Sequence, residues 1–140
     1  EGIDFAFDAI KVAPNTLDAH RLIRWAGAVS EEVQNRLVRR LFQINFEQGG
    51  NIGDHAVLIE AAREAGMDVA VVEALLPSDA DVEDVRNEIA TASRMGITGV
   101  PCFLIEGKYA VMGAQDAATL TDAIRQIATA KANGELEKAE

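Results

Sequence analysis

Gly96-Ile97-Thr98-Gly99-Val100-Pro101-Cys102-Phe103-Leu104-Ile105, continued by Gly107-Lys108-Tyr109-Ala110-Val111-Met112-Gly113-Ala114-Gln115, is the stretch that decides how this chain folds. Upstream of Gly96 the apolar residues recur at helical spacing, and here the pattern turns extended. Cys102 to Ile105 and Lys108 to Met112 are short runs of β-formers, with Glu106-Gly107 between them as a two-residue hairpin turn. Pro101 has no N–H to give to a ladder, so it belongs at the start of the first strand. Gly99, two residues earlier, allows a sharp backbone path, and the pair predicts a tight turn with a cis Val100-Pro101 bond. Gly113 ends the second strand. Asp116 then caps a last helix with Leu120, Ile124, Ile127 and Ala128 facing inward.

Working toward the N-terminus, five helices are expected. The fifth starts near Asp81, buries Val82, Val85, Ile89 and Ala92, and stops at Gly96. A short fourth starts at Asp68, carries Val71, Val72, Leu75 and Leu76, and is closed by Pro77. The third starts at Asp54, runs through Leu58, Ile59, Ala62 and Ala65, and ends at Gly66. The second is capped by Ser30, with Glu31 and Glu32 in its first turn. Its stripe is Val33, Leu37, Leu41 and Ile44, widened by Phe42 and Phe46, and Gly49-Gly50 ends it. The first is capped by Asn15, with Asp18 near its positive end and Leu17, Leu22, Ile23, Ala26 and Val29 on one face. Trp25, Phe42 and Phe46 read as core. Residues 2–13 read as an extended lead-in.

The resulting division is a lead-in over 1–13, a helical region over 14–96, a ββα region over 97–130 and a charged, fraying tail over 131–140. The fold class is α/β, mostly helical as it stands.

Composition narrows the function. Thirteen Lys and Arg against 23 Asp and Glu leave a net charge of −10. Such a surface repels phosphate backbones and anionic membranes, so neither nucleic acid nor membrane is an expected partner. No run of 18 apolar residues occurs. The single cysteine, Cys102, excludes an intrachain disulfide and disfavours a zinc site. It reads as a small hydrophobe on a strand, and a lone thiol suits a cytoplasmic location. Asp79, Asp81, Glu83 and Asp84 lack the turn glycine of a calcium loop and read as a solvated helix start. His20 and His55 are far apart in sequence and suggest no metal site.

The Gly-Val-Pro-x-Phe strand, the hairpin and the final helix resemble the second half of the thioredoxin fold. Asn15-Thr16-Leu17-Asp18-Ala19-His20-Arg21-Leu22 and Gly107-Lys108-Tyr109-Ala110-Val111, then Gly113-Ala114-Gln115, are similar to the FrnE-like subgroup of the DsbA family. Relatives there are the 2-hydroxychromene-2-carboxylate isomerases and the kappa-class glutathione transferases. The resemblance runs from about Gly2 to Ile127. It implies a partial thioredoxin-like fold, the C-terminal ββα, joined to a helical insertion domain.

That resemblance also implies thiol-disulfide exchange on a protein or small-thiol disulfide, without a cofactor. Gly99, Val100 and Pro101 would line the substrate groove, Val100 pairing with an extended peptide by strand addition. His20 and Asn15 would line the cleft. The family's Cys-x-x-Cys is absent from this sequence, so no catalytic residue is expected in it, and the chain, beginning at Glu1, reads as a processed or excised piece. Two other readings stand beside this one. The isomerase and kappa-class relatives bind glutathione and use a serine-type residue, and a non-enzymatic module would dock through its open sheet edge. That bare edge also predicts pairing, either with another copy of the chain or with an N-terminal piece.

Overall fold

Side-chain caps place the helices. Ser30 accepts from the Val33 N–H at 3.1 Å and opens α2 (Glu31–Phe42). Asp54 accepts from the Ala56 N–H at 2.8 Å and opens α3 (His55–Ala65). Asp68 accepts from the Ala70 N–H at 3.1 Å and opens α4 (Val69–Leu75). Each oxygen satisfies an amide that the helix itself leaves unbonded. Gly66 ends α3 with φ of 93°, the left-handed conformation that glycine takes without a Cβ penalty.

The computed structural model of the chain describes residues 2–134. It divides into two units, residues 1–89 and residues 90–140, with the boundary inside α5 (Val82–Arg94).

The first unit holds α1 (Leu17–Val29), α2, α3, α4 and the start of α5. Its core is Ala19, Leu22 and Ala26 of α1, then Val33, Leu37 and Leu41 of α2 with Ile44 beyond. Leu58, Ala61, Ala62 and Ala65 of α3 meet them, with Met67, Val72 and Leu76. The predicted stripe Val33, Leu37, Leu41 and Ile44 of α2 is therefore buried, and in α3 Leu58, Ala62 and Ala65 are, with Ala61 in place of the partly buried Ile59. Trp25 and Ile23 are partly buried and pack against this core.

Several expectations are corrected. Val29, Val71 and Ile89 are exposed: Val71 sits one residue round α4 from the buried Val72, whereas Val29, the last residue of α1, and Ile89, one turn beyond Val85, lie on the buried faces of their helices past the covered part. Phe42 is 59% exposed and is no part of the core. The cap residue of α1 is Thr16, not Asn15. Asn15 lies one residue further out and accepts from the Leu17 N–H at 3.0 Å, an Asx-type turn leading into the helix. The lead-in is not simply extended, since Phe7–Ala9 form one 3-10 turn. It is tied down at Ala6, whose N–H donates to the Phe46 carbonyl at 2.7 Å. α2 does not stop at Gly49 in regular form either. It passes into a π-helical segment, Gln43–Glu47.

The second unit holds the end of α5, the hairpin and α6 (Ala117–Ala132). Strands β1 (Cys102–Ile105) and β2 (Tyr109–Met112) are antiparallel, with Cys102 opposite Met112 and Ile105 opposite Tyr109. Three residues, Glu106 to Lys108, separate the last paired positions, one more than expected. The turn itself has the predicted chemistry. Glu106 and Gly107 have φ of 54° and 68°, and the Lys108 N–H donates to the Ile105 carbonyl at 3.2 Å.

Asp116 caps α6 as read, accepting from the Thr119 N–H at 2.7 Å. The inward face differs. Ile124 and Ala128 are exposed, and the half-buried line is Leu120, Ala123, Ile127 and Ala130. That line follows i, i+3, i+7, i+10, the spacing of one helix face. α6 continues through Lys131 to Ala132, where fraying was expected. Residues 135–140 of the expected tail lie outside the described residues.

Candidate functional site

The turn that opens β1 is the most exposed apolar feature of the second unit. Val100 is 90% exposed, and Gly99 and Pro101 are exposed on either side of it. The Val100-Pro101 bond is cis. The Pro101 carbonyl accepts from the Gly113 N–H at 2.8 Å, so the turn is pinned to the end of β2. Val100 therefore stands outward from the hairpin and does not pack into a core. Cys102 follows at once, half-buried, with a free thiol.

Among the described residues β1 pairs with β2 alone, so its other edge carries unpaired main-chain donors and acceptors. Phe103, Leu104, Tyr109 and Met112 are partly exposed along the two strands. The hairpin is braced at its tip, where Lys131 Nζ lies 3.0 Å from both carboxylate oxygens of Glu106. At its base Gln115 Nε2 donates to the Met112 carbonyl at 3.0 Å. Hydrogen bonds from Thr119 hold the Asp116 carboxyl below its ordinary pKa, the expected response of a charged cap.

Asn15 and His20 belong to the first unit. Asn15 is exposed and occupied by its turn. His20 is exposed on α1 and lines a surface cleft of about 300 Å³ with Ile23, Arg24, Gln34, Val85, Glu88 and Ile89. Arg24 pairs there with Glu88 and, at 3.6 Å, with Asp84. Among the described residues no group of three or more His, Cys, Asp or Glu is placed to hold a metal ion.

The sequence reading missed a charged network inside this unit. Arg21 is 1% exposed. Its guanidinium donates to the carbonyls of Leu75, Leu76, Ser78 and Ala80 and to Asp18 Oδ1, at 2.8–3.2 Å. It lies 5.0 Å from the centre of the Trp25 ring, in cation–π range. Trp25 Nε1 in turn donates to Asp81 at 2.7 Å, and His55 Nε2 lies 2.8 Å from the second Asp18 oxygen. Burial opposes the charged form of Asp18, but the bonds and charges of Arg21 and His55 prevail and hold its carboxyl below the ordinary value. These partners are 54 to 59 residues from Arg21 along the chain, and no local pattern announces them. The one signal was an arginine on the apolar side of α1.

Helices followed by a hairpin and a closing helix, with the hairpin opening on Val100-Pro101, define a thioredoxin-like α/β chain carrying a large helical insertion. The chain belongs to the DSBA-like thioredoxin domain family, whose model matches residues 1–125. It is similar to a crystal structure of a probable DsbA oxidoreductase from Streptomyces coelicolor, with 33% identity and a TM-score of 0.72. That match covers 80% of this chain and 48% of the other, so the chain spans about half the length of that relative. No curated protein sequence matches the chain. No helix of the described residues is long and apolar enough to cross a membrane.

Proposed function

We propose that the chain supplies the substrate-binding wall of a DsbA-like thiol-disulfide oxidoreductase of the FrnE-like subgroup. The observation that carries this reading is the outward Val100, 90% exposed at the head of a strand with one unpaired edge. An apolar residue in that position, in a family of disulfide oxidoreductases, is suited to strand addition by an extended peptide. The peptide's main chain would pair beside Val100, which sets its disulfide near the enzyme's reactive sulfur. In the exchange a thiolate attacks one sulfur of the substrate disulfide, and the other leaves as a thiolate. A second enzyme thiol then displaces the substrate and closes the enzyme disulfide. The reaction needs two enzyme thiols, and these 140 residues contain one cysteine. Their part is recognition. The single thiol also fits a cytoplasmic setting, where unpaired thiols persist.

Photo-crosslinking tests this. A capped octapeptide bearing a benzophenone side chain should crosslink to residues 99–103. Val100→Pro, which removes the N–H, should abolish the crosslink, while Val100→Ala should keep it. Crosslinking spread evenly over the surface would reject the reading. Displacement of the peptide by millimolar glutathione would instead favour the glutathione-dependent isomerase or transferase class. Insulin reduction by these residues alone should stay at the uncatalysed rate.

A further inference from the structure

A second surface, wholly within the first unit, combines two chemistries that the thiol-exchange reading does not use. α2 presents Arg36, Arg39 and Arg40 at i, i+3 and i+4, a spacing that puts them on one face. With Gln43, Glu64 and Ala65 they line a groove of about 280 Å³. Gln43 also lines the neighbouring groove, of about 210 Å³, whose other walls are Ile3, Phe5, Phe42, Phe46 and Glu47. The two grooves therefore lie on either side of Gln43, where α2 gives way to the π-helical segment. Such segments often mark functional positions, because the extra residue per turn displaces the side chains.

The arginines differ in how they are matched. Arg36 donates to the Ala65 carbonyl at 3.0 and 3.1 Å and pairs with Glu32. Arg40 pairs with Glu64. The Arg39 guanidinium makes no hydrogen bond or ion pair among the described residues. One guanidinium is thus left unmatched between two fixed ones, in a chain whose net charge is −10. The apolar groove is equally unmatched. Its rings contact one another, with Phe5 and Phe46 edge-on at 6.3 Å and Phe42 and Phe46 at 6.0 Å, yet Ile3, Phe5 and Phe42 are each more than half exposed. An aromatic cluster flanked by arginine is the composition of a protein-binding surface rather than of a solvated helix.

We propose that this face docks an extended peptide segment of a partner protein in which a large apolar side chain sits beside carboxylates. The apolar side chain would enter among Phe5, Phe42 and Phe46. A carboxylate would take the bidentate donors of Arg39, the guanidinium that Glu32 and Glu64 leave unmatched. A purely acidic ligand would meet the repulsion of the whole chain, and a purely apolar one would leave Arg39 unmatched, so the mixed segment fits both grooves.

The test uses the full 140-residue chain and a fluorescein-labelled, capped hexapeptide, Ser-Asp-Phe-Glu-Leu-Ser. Fluorescence anisotropy should show saturable binding that weakens with salt. Replacing its acids by Asn and Gln should weaken binding at least tenfold, as should Arg39→Glu or Phe42→Ser in the protein. Both protein positions are exposed, and unchanged circular dichroism would show that the variants fold. Phe103→Ser, on the hairpin, should leave binding unchanged. No saturation at millimolar peptide, equal binding of the neutral peptide, or loss with Phe103→Ser alone would overturn the proposal. So would light scattering that finds a dimer dispersed by Phe42→Ser, which would make a second copy the occupant.

Discussion

Replacing Arg21 with Met probes the least legible feature of the fold. Methionine keeps the unbranched stem but removes all five hydrogen bonds of the guanidinium. The Leu75 carbonyl would remain satisfied, because the Ser78 N–H and hydroxyl also donate to it, at 3.1 and 2.7 Å. The carbonyls of Leu76, Ser78 and Ala80 would lose the one side-chain donor they have among the described residues. The Leu76 bond is fully buried, and the other two are partly buried, so water can reach those two more readily. An orphaned buried acceptor costs about 1–3 kcal/mol, and a partly hydrated one costs less. The cation–π contact with Trp25 adds about 1 kcal/mol. Removing the cost of burying a charge offsets part of this sum. The net expectation is a loss of about 3 kcal/mol, a large share of a typical folding free energy.

Urea unfolding at pH 7, followed by the fluorescence of Trp25, measures it. Trp25 is the only tryptophan and lies against Arg21, so the signal reports the first unit. The midpoint should fall with an unchanged slope. Arg21→Lys should recover less than half, since one ammonium cannot reach four carbonyls and a carboxylate. A loss below about 1 kcal/mol for Arg21→Met, or full recovery by Lys, would refute the claim that the guanidinium holds this loop.

Asp18 makes stability depend on acid. Its carboxyl is held below the ordinary 3.8 in the folded chain, so its contribution is complete above that value and disappears as pH falls through the lower folded value. Acid titration of Trp25 fluorescence should show this transition, and Asp18→Asn should remove it. Gly49→Ala should release the lead-in, because a Cβ there would come within 2.5 Å of the Ala9 carbonyl oxygen at a φ of +66°. Left-handed backbone alone costs about 1 kcal/mol, and faster amide exchange at Ala6 would confirm the release. Asp116→Ala should fray the first turn of α6, read as faster exchange at the Thr119 amide.

Local chemistry was well encoded. Ser30, Asp54, Asp68 and Asp116 are caps because a short oxygen-bearing side chain reaches free amides only two or three residues on, so the whole interaction sits within one window of sequence. Gly66 and the Glu106-Gly107 turn are legible for the same reason. Burial on the widest faces was harder. Periodicity shows that Phe42 lies near the stripe of Leu37 and Leu41, but whether it is covered depends on what stands opposite, and it lines an open groove with Ile3, Phe5 and Phe46. The same holds for Ile124 in α6. The exposed turn at Val100-Pro101 was readable because proline constrains the backbone directly, whereas Gly99 takes no left-handed φ and a Cβ there would meet open space. The Arg21 network was not, since every carbonyl it serves belongs to a distant segment and carries no side-chain identity that a reader could match.

The separation between Arg21 and its carbonyl partners also orders assembly. During synthesis α1 is made first, and the loop that will receive the guanidinium is made more than 50 residues later. Until that loop has emerged, Arg21 has Asp18 beside it but lacks its carbonyl partners, and burying a guanidinium with most of its donors unmet is costly. The corner of the first unit around Arg21 therefore closes late, so a ribosome stalled before Ala80 would carry α1 with that corner still open.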